Sequence, residues 1–434
     1  MNQISKQTGD LVADLRHRRL RELLRHVWQN SAFYRDYYRC HGIREKDLAD
    51  IAIRDLPFLT KTTLMENFDK AVTDPRLCKS ELEGWLERRN DPRQIFYQDF
   101  VVFNSSGSSG NIGISVYDTL SWRVMNATIA RLLPKPENYP GGKTRVACYM
   151  YTSALQMPKP VYDVSIISLF DPGEQVVAQL NAFQPHRIIG YSSSVTNLAQ
   201  QALLGNLHIR PKRILVTGDR LSAPMREKIE KAWEAPVHIL YCSSESIYLA
   251  VQESGQKELS VADDLNIIEI LNEDNQPVPA RGVGRVVLTN LYNYALPILR
   301  YELGDYAIRG VGSEGGSTTI RDIRGRVCEA LPVVGEDGEQ DSIHPIVLTE
   351  FYAVGLERFQ FVSLRPDYVR INYVAETDID EAVGMAFQRL LDNKRALETR
   401  FEVRRVSHID NDARTGKLPL VKMGPKGSQV EKAA

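Results

Sequence analysis

Cysteine is scarce in this chain, and neither sign of charge is in excess. The five cysteines, Cys40, Cys78, Cys148, Cys242 and Cys328, are scattered, and no two stand at a metal-ligand or disulfide-framework spacing. This argues against a disulfide scaffold and against structural zinc, and a reducing, cytoplasmic location is the expectation. Lysine and arginine number 54 against 55 acidic residues, a formal net charge of −1, so nothing recommends nucleic acid or an anionic membrane as partner. No apolar run is long enough to span a bilayer, and no apolar signal segment follows Met1. Internal repeats and low-complexity tracts are also lacking, which excludes solenoids.

What remains is a globular composition, 43% hydrophobic over 434 residues, too long for one ordinary core. A helical period runs through Leu11, Leu15, Leu20, Leu24 and Val27, and the chain to about Gln98 reads as mostly helical. Within it, Leu56-Pro57-Phe58-Leu59 leads to Thr60, a residue suited to cap a helix running through Leu64 to Phe68. Residues 146–150, 187–189, 214–217 and 237–241 read as strands, and Ser222 with Pro224 starts a helix that runs to Trp233. Strand, crossover helix and strand imply a parallel sheet, whose ligands bind at the carboxyl ends of its strands. After Ala250 the pattern becomes strand 265–271, turn 272–276 and strand 284–289, and beyond Gly325 it reads as a smaller α+β unit with a basic tail.

Five segments suggest chemistry. Ser105-Ser106-Gly107-Ser108-Ser109-Gly110 lies between two extended apolar runs and supplies hydroxyls and a pliant backbone of the kind that cradles phosphate. Tyr241-Cys242-Ser243-Ser244-Glu245 follows a strand; its aromatic ring can stack on a base, and Glu245 offers an oxygen ligand to Mg²⁺. Tyr301-Glu302-Leu303-Gly304-Asp305 ends in what reads as a Gly-Asp turn, where a carboxylate can accept ribose hydroxyls. Arg326, in Ile323-Arg324-Gly325-Arg326, can reach ribose or phosphate, and Lys417, in Arg414-Thr415-Gly416-Lys417, presents an ammonium. Singly, each also has an ordinary reading as a turn, a cap or a solvated face.

In this order the motifs resemble those of the adenylate-forming superfamily of acyl-CoA synthetases, and within it the phenylacetate–coenzyme A ligase branch. The Leu-Pro-Phe-x-Thr-Lys stretch at Leu56 to Lys61 and the segment Asp264 to Glu269 look like the same branch. The resemblance implies a carboxylic acid activated by Mg-ATP to an acyl-adenylate, then transferred to an acceptor. It assigns Ser105 to Gly110 to the β- and γ-phosphates, Ser244 to the α-phosphate, Tyr241 to adenine, Glu245 to Mg²⁺ and Asp305 to ribose. Ser243, Gly218 and Arg326 complete the nucleotide set. Lys417 would bridge the carboxylate and the α-phosphate. The acid pocket would draw on Tyr149, Tyr151, Tyr191 and Ser192, with Gly218 beside them, and their aromatic character suggests an aryl acid.

The chain departs from the pattern at Asn111, in place of the phosphate loop's lysine, at Cys242, in place of glycine, and at Cys328-Glu329 near the hinge. The expected fold is α/β, with a large multi-sheet adenylation domain over residues 1–324. A small, mobile α+β domain over 325–434 would carry Lys417. Coenzyme A is the leading acceptor; an amine, a hydroxyl or a carrier-protein thiol is the alternative, and a non-catalytic nucleotide-binding relative is a reading of a different class. A homodimer is an open assembly state.

Overall fold

The computed structural model describes residues 3–88, 95–105, 113–132, 142–150, 161–167, 171, 173–218, 221–252, 254–312, 318–326, 331–336, 338, 340–343, 348, 351, 353, 355–356, 358–410 and 419–424. The chain divides into two compact units, Met1–Leu303 with Ala307–Ile323, and Gly304–Tyr306 with Arg324–Ala434.

The first unit opens with helices Gln3–Asn30 and Ala32–Cys40. The expected apolar stripe on the long helix becomes core only from Leu20, joined by Leu23, Leu24 and Val27, whereas Leu11 is 69% exposed. The helix therefore runs on past the surface it packs against. Thr60 caps as expected, its hydroxyl accepting from the Thr63 amide at 3.1 Å. The helix it starts, Lys61–Glu66, stops short of Phe68, and a second short helix, Phe68–Ala71, follows. The break is local: the Asn67 side chain donates to the Thr63 carbonyl at 2.9 Å, competing for the helical acceptor.

Strands β1 (Phe100–Ser105) and β2 (Gly113–Asp118) form an antiparallel hairpin in which Ser105 pairs with Gly113. The Ser/Gly segment expected to hold phosphate lies between these two strands in the sequence. From Ser106 to Gly110 it lies outside the described residues, and for Ser105 only the backbone is described.

The principal sheet has eleven strands. They are β3 (Thr144–Tyr149), β4 (Tyr162–Ile167), β5 (Arg187–Tyr191), β6 (Arg213–Thr217), β7 (Val237–Tyr241), β8 (Ala250–Gln252), β9 (Leu259–Val261), β10 (Asn266–Leu271), β11 (Val283–Asn290), β12 (Tyr301–Arg309) and β13 (Thr319–Arg326). Their order is β10-β11-β12-β13-β9-β8-β7-β6-β5-β3-β4. From β7 to β4 neighbouring strands run parallel, while the pairs β7–β8, β8–β9, β9–β13 and β10–β11 are antiparallel. Helices Gly173–Phe183, Ser192–Leu203 and Ala223–Trp233 bury Val176, Leu180, Val195, Leu198 and Ile229 against Ile188, Ile214, Val216 and Val237 on one face of the parallel half. The helix expected from Ser222 to Trp233 is there, with the Ser222 hydroxyl accepting from the Met225 amide at 3.4 Å.

The second unit contains a small hairpin, β14 (Leu331–Val334) with β15 (Gln340–Ile343), and a four-stranded sheet. The sheet comprises β16 (Arg358–Arg365), β17 (Tyr368–Val374), β18 (Arg400–Arg405) and β19 (Val421–Met423), in the order β18-β17-β16-β19. Helix Asp380–Lys394 contributes Val383, Phe387 and Leu391 to its core, with Phe361, Ile371 and Tyr373. The class is α/β with a smaller α+β unit, as the sequence suggests. The expected boundary after Arg324 falls inside β13, whose residues from Arg324 onward belong to the second unit.

Candidate active site

The carboxyl ends of β3, β5, β6 and β7 lie side by side, because these four strands are parallel neighbours in register. Tyr149, Tyr191 and Tyr241 each end one of these strands, and Gly218 directly follows β6. Open α/β sheets collect their ligands at this edge.

The loop after β7 is fixed by hydrogen bonds from distant parts of the first unit. Within it, the Ser243 amide donates to the Ser246 carbonyl at 3.1 Å, and the Ser246 amide returns to the Ser243 hydroxyl at 3.1 Å. The Ser246 hydroxyl donates to Asn266 Oδ1 at 2.8 Å. Tyr117, on β2, donates its phenol to the Ser244 carbonyl at 2.8 Å. Asn290, ending β11, donates to the Glu245 carbonyl at 2.9 Å and accepts from the Tyr292 and Asn293 amides at 3.0 Å each. Tyr301, opening β12, donates to Glu245 Oε1 at 3.3 Å. Tyr241 and Ser243 are buried, and Ser244 and Glu245 are half-buried, so the loop is anchored from within and leaves these two residues partly accessible.

The Tyr117 and Tyr292 phenols hold their protons. Burial first, then Tyr292 and the Glu245 charge, push the Tyr117 pKa well above the ordinary tyrosine value. Tyr292, whose ring stacks on Tyr117 at 6.1 Å, is pushed up to about 12, mainly by burial. The hairpin that carries the Ser/Gly segment is thus hydrogen-bonded to the tyrosine-motif loop. An indirect tie runs through the residues after β11: the Asn293 side chain donates to the Val116 carbonyl of β2 at 2.9 Å, and its amide donates to Asn290, which holds the Glu245 carbonyl.

The other expected residues divide. Gly218 has φ +81, and a Cβ there would lie 2.3 Å from Tyr191 Cδ1, so the Tyr191 ring lies directly over this glycine. Ser192 is buried in the first turn of the helix after Tyr191. Tyr149 and Tyr191 do not form one aromatic wall. Tyr149 pairs with Gly190, one residue before Tyr191, so the two rings start from opposite faces of the sheet. Tyr149 goes with the helix-covered core; Tyr191 shares its face with Ile189 and Leu215, and Leu215 packs against the cluster of Tyr117 and Trp122.

Asp305 is buried on β12, in the stretch belonging to the second unit. It is not in a turn: Gly304 and Asp305 sit inside a continuous strand, and Gly304 absorbs the irregularity with φ +80. Arg326 ends β13 and is described in backbone only; Tyr151 and Lys417 lie outside the described residues. Tyr117, Asn290 and Asn293 support the site but belong to no motif. The available signal was a pair of asparagines, Asn290 and Asn293, shortly after the apolar run 286–288.

Glu245 is a single carboxylate, and among the described residues no group of three or more His, Cys, Asp or Glu side chains gathers. Such a donor set suits Mg²⁺ arriving on nucleotide phosphates and taking one protein carboxylate, rather than a cation held in an all-protein cage. No helix among the described residues is long and apolar enough to cross a membrane.

No family model matches the chain. It is 24% identical over 317 residues to Protein CapK of Staphylococcus aureus; the match covers 69% of this chain and 63% of that protein, so the chain spans less than two thirds of its relative's length. Among solved structures it is similar to 2-hydroxyisobutyryl-CoA ligase in the postadenylation state with 2-HIB-AMP, with a TM-score of 0.67 and 20% identity, covering 94% of this chain and 89% of that one. It is also similar to the amide bond synthetase McbA from Marinactinospora thermotolerans, with a TM-score of 0.51 and 14% identity, covering 74% and 67% of the respective chains. The likeness shows the fold: this chain has the fold of acyl-adenylate-forming ligases.

Proposed function

We propose that this protein is an AMP-forming acid ligase that activates a carboxylic acid with Mg-ATP and passes the acyl group to coenzyme A. A carboxylate oxygen attacks the α-phosphorus, and pyrophosphate leaves. The thiol of coenzyme A then attacks the acyl carbon, releasing AMP, with the thiol proton lost to solvent.

The observation that carries this reading is the anchored loop Tyr241 to Ser246 at the carboxyl edge of the parallel strands. Its half-buried Ser244 and Glu245 are the residues to which the motif order assigns the α-phosphate and the magnesium of Mg-ATP. Ser105 to Gly110 would hold the outer phosphates, Tyr241 with Ser243 the adenine side, and Asp305 and Arg326 the ribose side, while Gly218, under the Tyr191 ring, would border the acid pocket. Lys417 would neutralise charge growing between the carboxylate and the α-phosphate, the kind of preorganised cation whose loss costs orders of magnitude in rate. Residues 325–434 would act as the domain that delivers it. The flat Tyr191 ring over Gly218 supports an aryl acid of the kind taken by phenylacetate–coenzyme A ligases.

The test is pyrophosphate release with Mg-ATP across a panel of aryl and aliphatic acids, with and without coenzyme A. Acid-dependent release, with AMP and thioester formed only when coenzyme A is present, is the expected result. Release without thioester would move the acceptor to an amine, hydroxyl or carrier thiol. ATP binding with no release for any acid would leave a nucleotide-binding protein.

A further inference from the structure

The segment Leu56 to Lys61 matches a motif, yet no step above uses it. In the fold it meets Arg300, which lies between the end of β11 and the site-facing Tyr301. Arg300 has φ +47, a left-handed backbone that a non-glycine residue keeps only where its surroundings hold it. Those surroundings are unusually complete. Its amide donates to the Thr289 hydroxyl at 2.9 Å, and its guanidinium donates to the carbonyls of Arg54 and Leu56. The guanidinium also pairs with Glu269 at 3.3 Å and stands 4.1 Å from the centre of the Phe58 ring. Leu59 pairs with the strand itself, its amide donating to the Arg300 carbonyl at 3.0 Å and its carbonyl accepting from the Glu302 amide at 2.9 Å. Residues on both sides of Tyr301 are therefore pinned, and Tyr301, 3% exposed, directs its phenol to Glu245 Oε1 at 3.3 Å.

We propose that Leu56 to Leu59 and Arg300 form a buttress for Tyr301, and that Tyr301 is a positioning residue holding the Glu245 carboxylate in the orientation that meets the magnesium of Mg-ATP. The inference rests on the nucleotide reading above and assigns a task to a segment far from it in sequence. Arginine suits the position because its planar fork serves two carbonyls and a carboxylate at once while stacking on Phe58, which a lysine cannot do. Burial raises the pKa of Glu269 and Arg300 opposes that rise, as expected for an ion pair set into the protein interior.

Calorimetric titration of ATP, once with Mg²⁺ and once with EDTA, tests this without requiring turnover. Wild type should bind Mg-ATP more tightly than free ATP. Tyr301→Phe should bind free ATP as wild type does and lose about 10-fold of the magnesium enhancement, the scale for a hydrogen bond to a charged group. Phe58→Leu, which removes the platform under Arg300 and keeps an apolar side chain, should show the same signature at about 2- to 3-fold. Full retention of the enhancement in Tyr301→Phe overturns the inference and leaves the nucleotide reading standing. Equal losses with Mg²⁺ and with EDTA also overturn it, because they mark a merely structural role. Wild type that binds no ATP under either condition overturns the nucleotide reading, and this inference with it.

Discussion

Two stretches at the same edge of the sheet are shaped by different forces. The loop after β7 is held by directional hydrogen bonds: β2, β11 and β12 donate to the carbonyls of Ser244 and Glu245 and to one Glu245 carboxylate oxygen, and Asn266 of β10 accepts from the Ser246 hydroxyl. The end of β6 is shaped by sterics, a left-handed glycine under the Tyr191 ring. A hydrogen-bonded loop fixes the direction of its charges, as a phosphate and metal site requires. A packed aromatic surface fixes shape and adapts when a ring turns, which is what acid selectivity needs. On this account the nucleotide end of the site is rigid and the acid end is tunable.

The sharpest way to break the comparison is Glu245→Gln. It keeps the shape and the carbonyl contact but removes the charge, so acid-dependent pyrophosphate release should fall by about 100-fold or more while the melting temperature barely moves. Equal activity in the variant would show that the anchored loop does not present the metal-binding charge. Asn290→Ala should act on stability instead. It leaves the Glu245 carbonyl and the Tyr292 and Asn293 amides short of a buried partner, and a urea titration should show a loss of about 2–3 kcal/mol. A loss under half a kcal/mol would mean the hydrogen bonds around the loop do not anchor it.

Gly218→Ala should cost less, about 1 kcal/mol for the left-handed backbone, with a further cost for turning the Tyr191 ring. Its mark should be a change in which acids are activated at unchanged ATP affinity, read from KM across the acid panel. Weakened ATP binding at constant acid preference would assign the glycine to the nucleotide end. The last effect is alkaline and appears only outside the physiological pH range. Tyr292 stays protonated in the fold up to about pH 12, whereas a tyrosine in the unfolded chain ionises near 10. The unfolded chain therefore releases its proton first, and stability should hold below pH 10 and decline between 10 and 12, by on the order of 1–3 kcal/mol for this residue. Denaturant melts at pH 8, 10 and 11.5 would show it, and Tyr292→Phe should make the decline shallower by this residue's share, the remainder coming from other buried tyrosines such as Tyr117 and Tyr38.

Where a feature is local in sequence, it was legible. Ser222 with Pro224 announces a helix start, and Val237 to Tyr241 announces a strand, because capping and β-branching act over a few residues. The class of fold and the place of the tyrosine motif followed from these signals. The anchors were not legible. Tyr117 reaches Ser244 across 127 residues, and Asn290 reaches Glu245 across 45, and nothing in either neighbourhood names its partner. Gly304-Asp305 reads as a turn because that dipeptide usually makes one, but strand pairing overrides the propensity and one positive φ absorbs the conflict. The separation of Tyr149 from Tyr191 depends on strand register, which composition does not encode. Leu11 keeps the helical period yet lies beyond the surface its helix covers.

The central claim is that an acid becomes an acyl-adenylate on this chain, and the most direct measurement is to look for that adenylate. Wild-type protein incubated with Mg-ATP and an accepted acid, with no acceptor present, would be quenched and analysed by mass spectrometry beside Lys417→Ala. The account predicts acyl-AMP and pyrophosphate formed together, near one equivalent per chain in wild type and reduced by orders of magnitude in the variant. ADP and inorganic phosphate in place of AMP products, or equal acyl-AMP from both proteins, would contradict it.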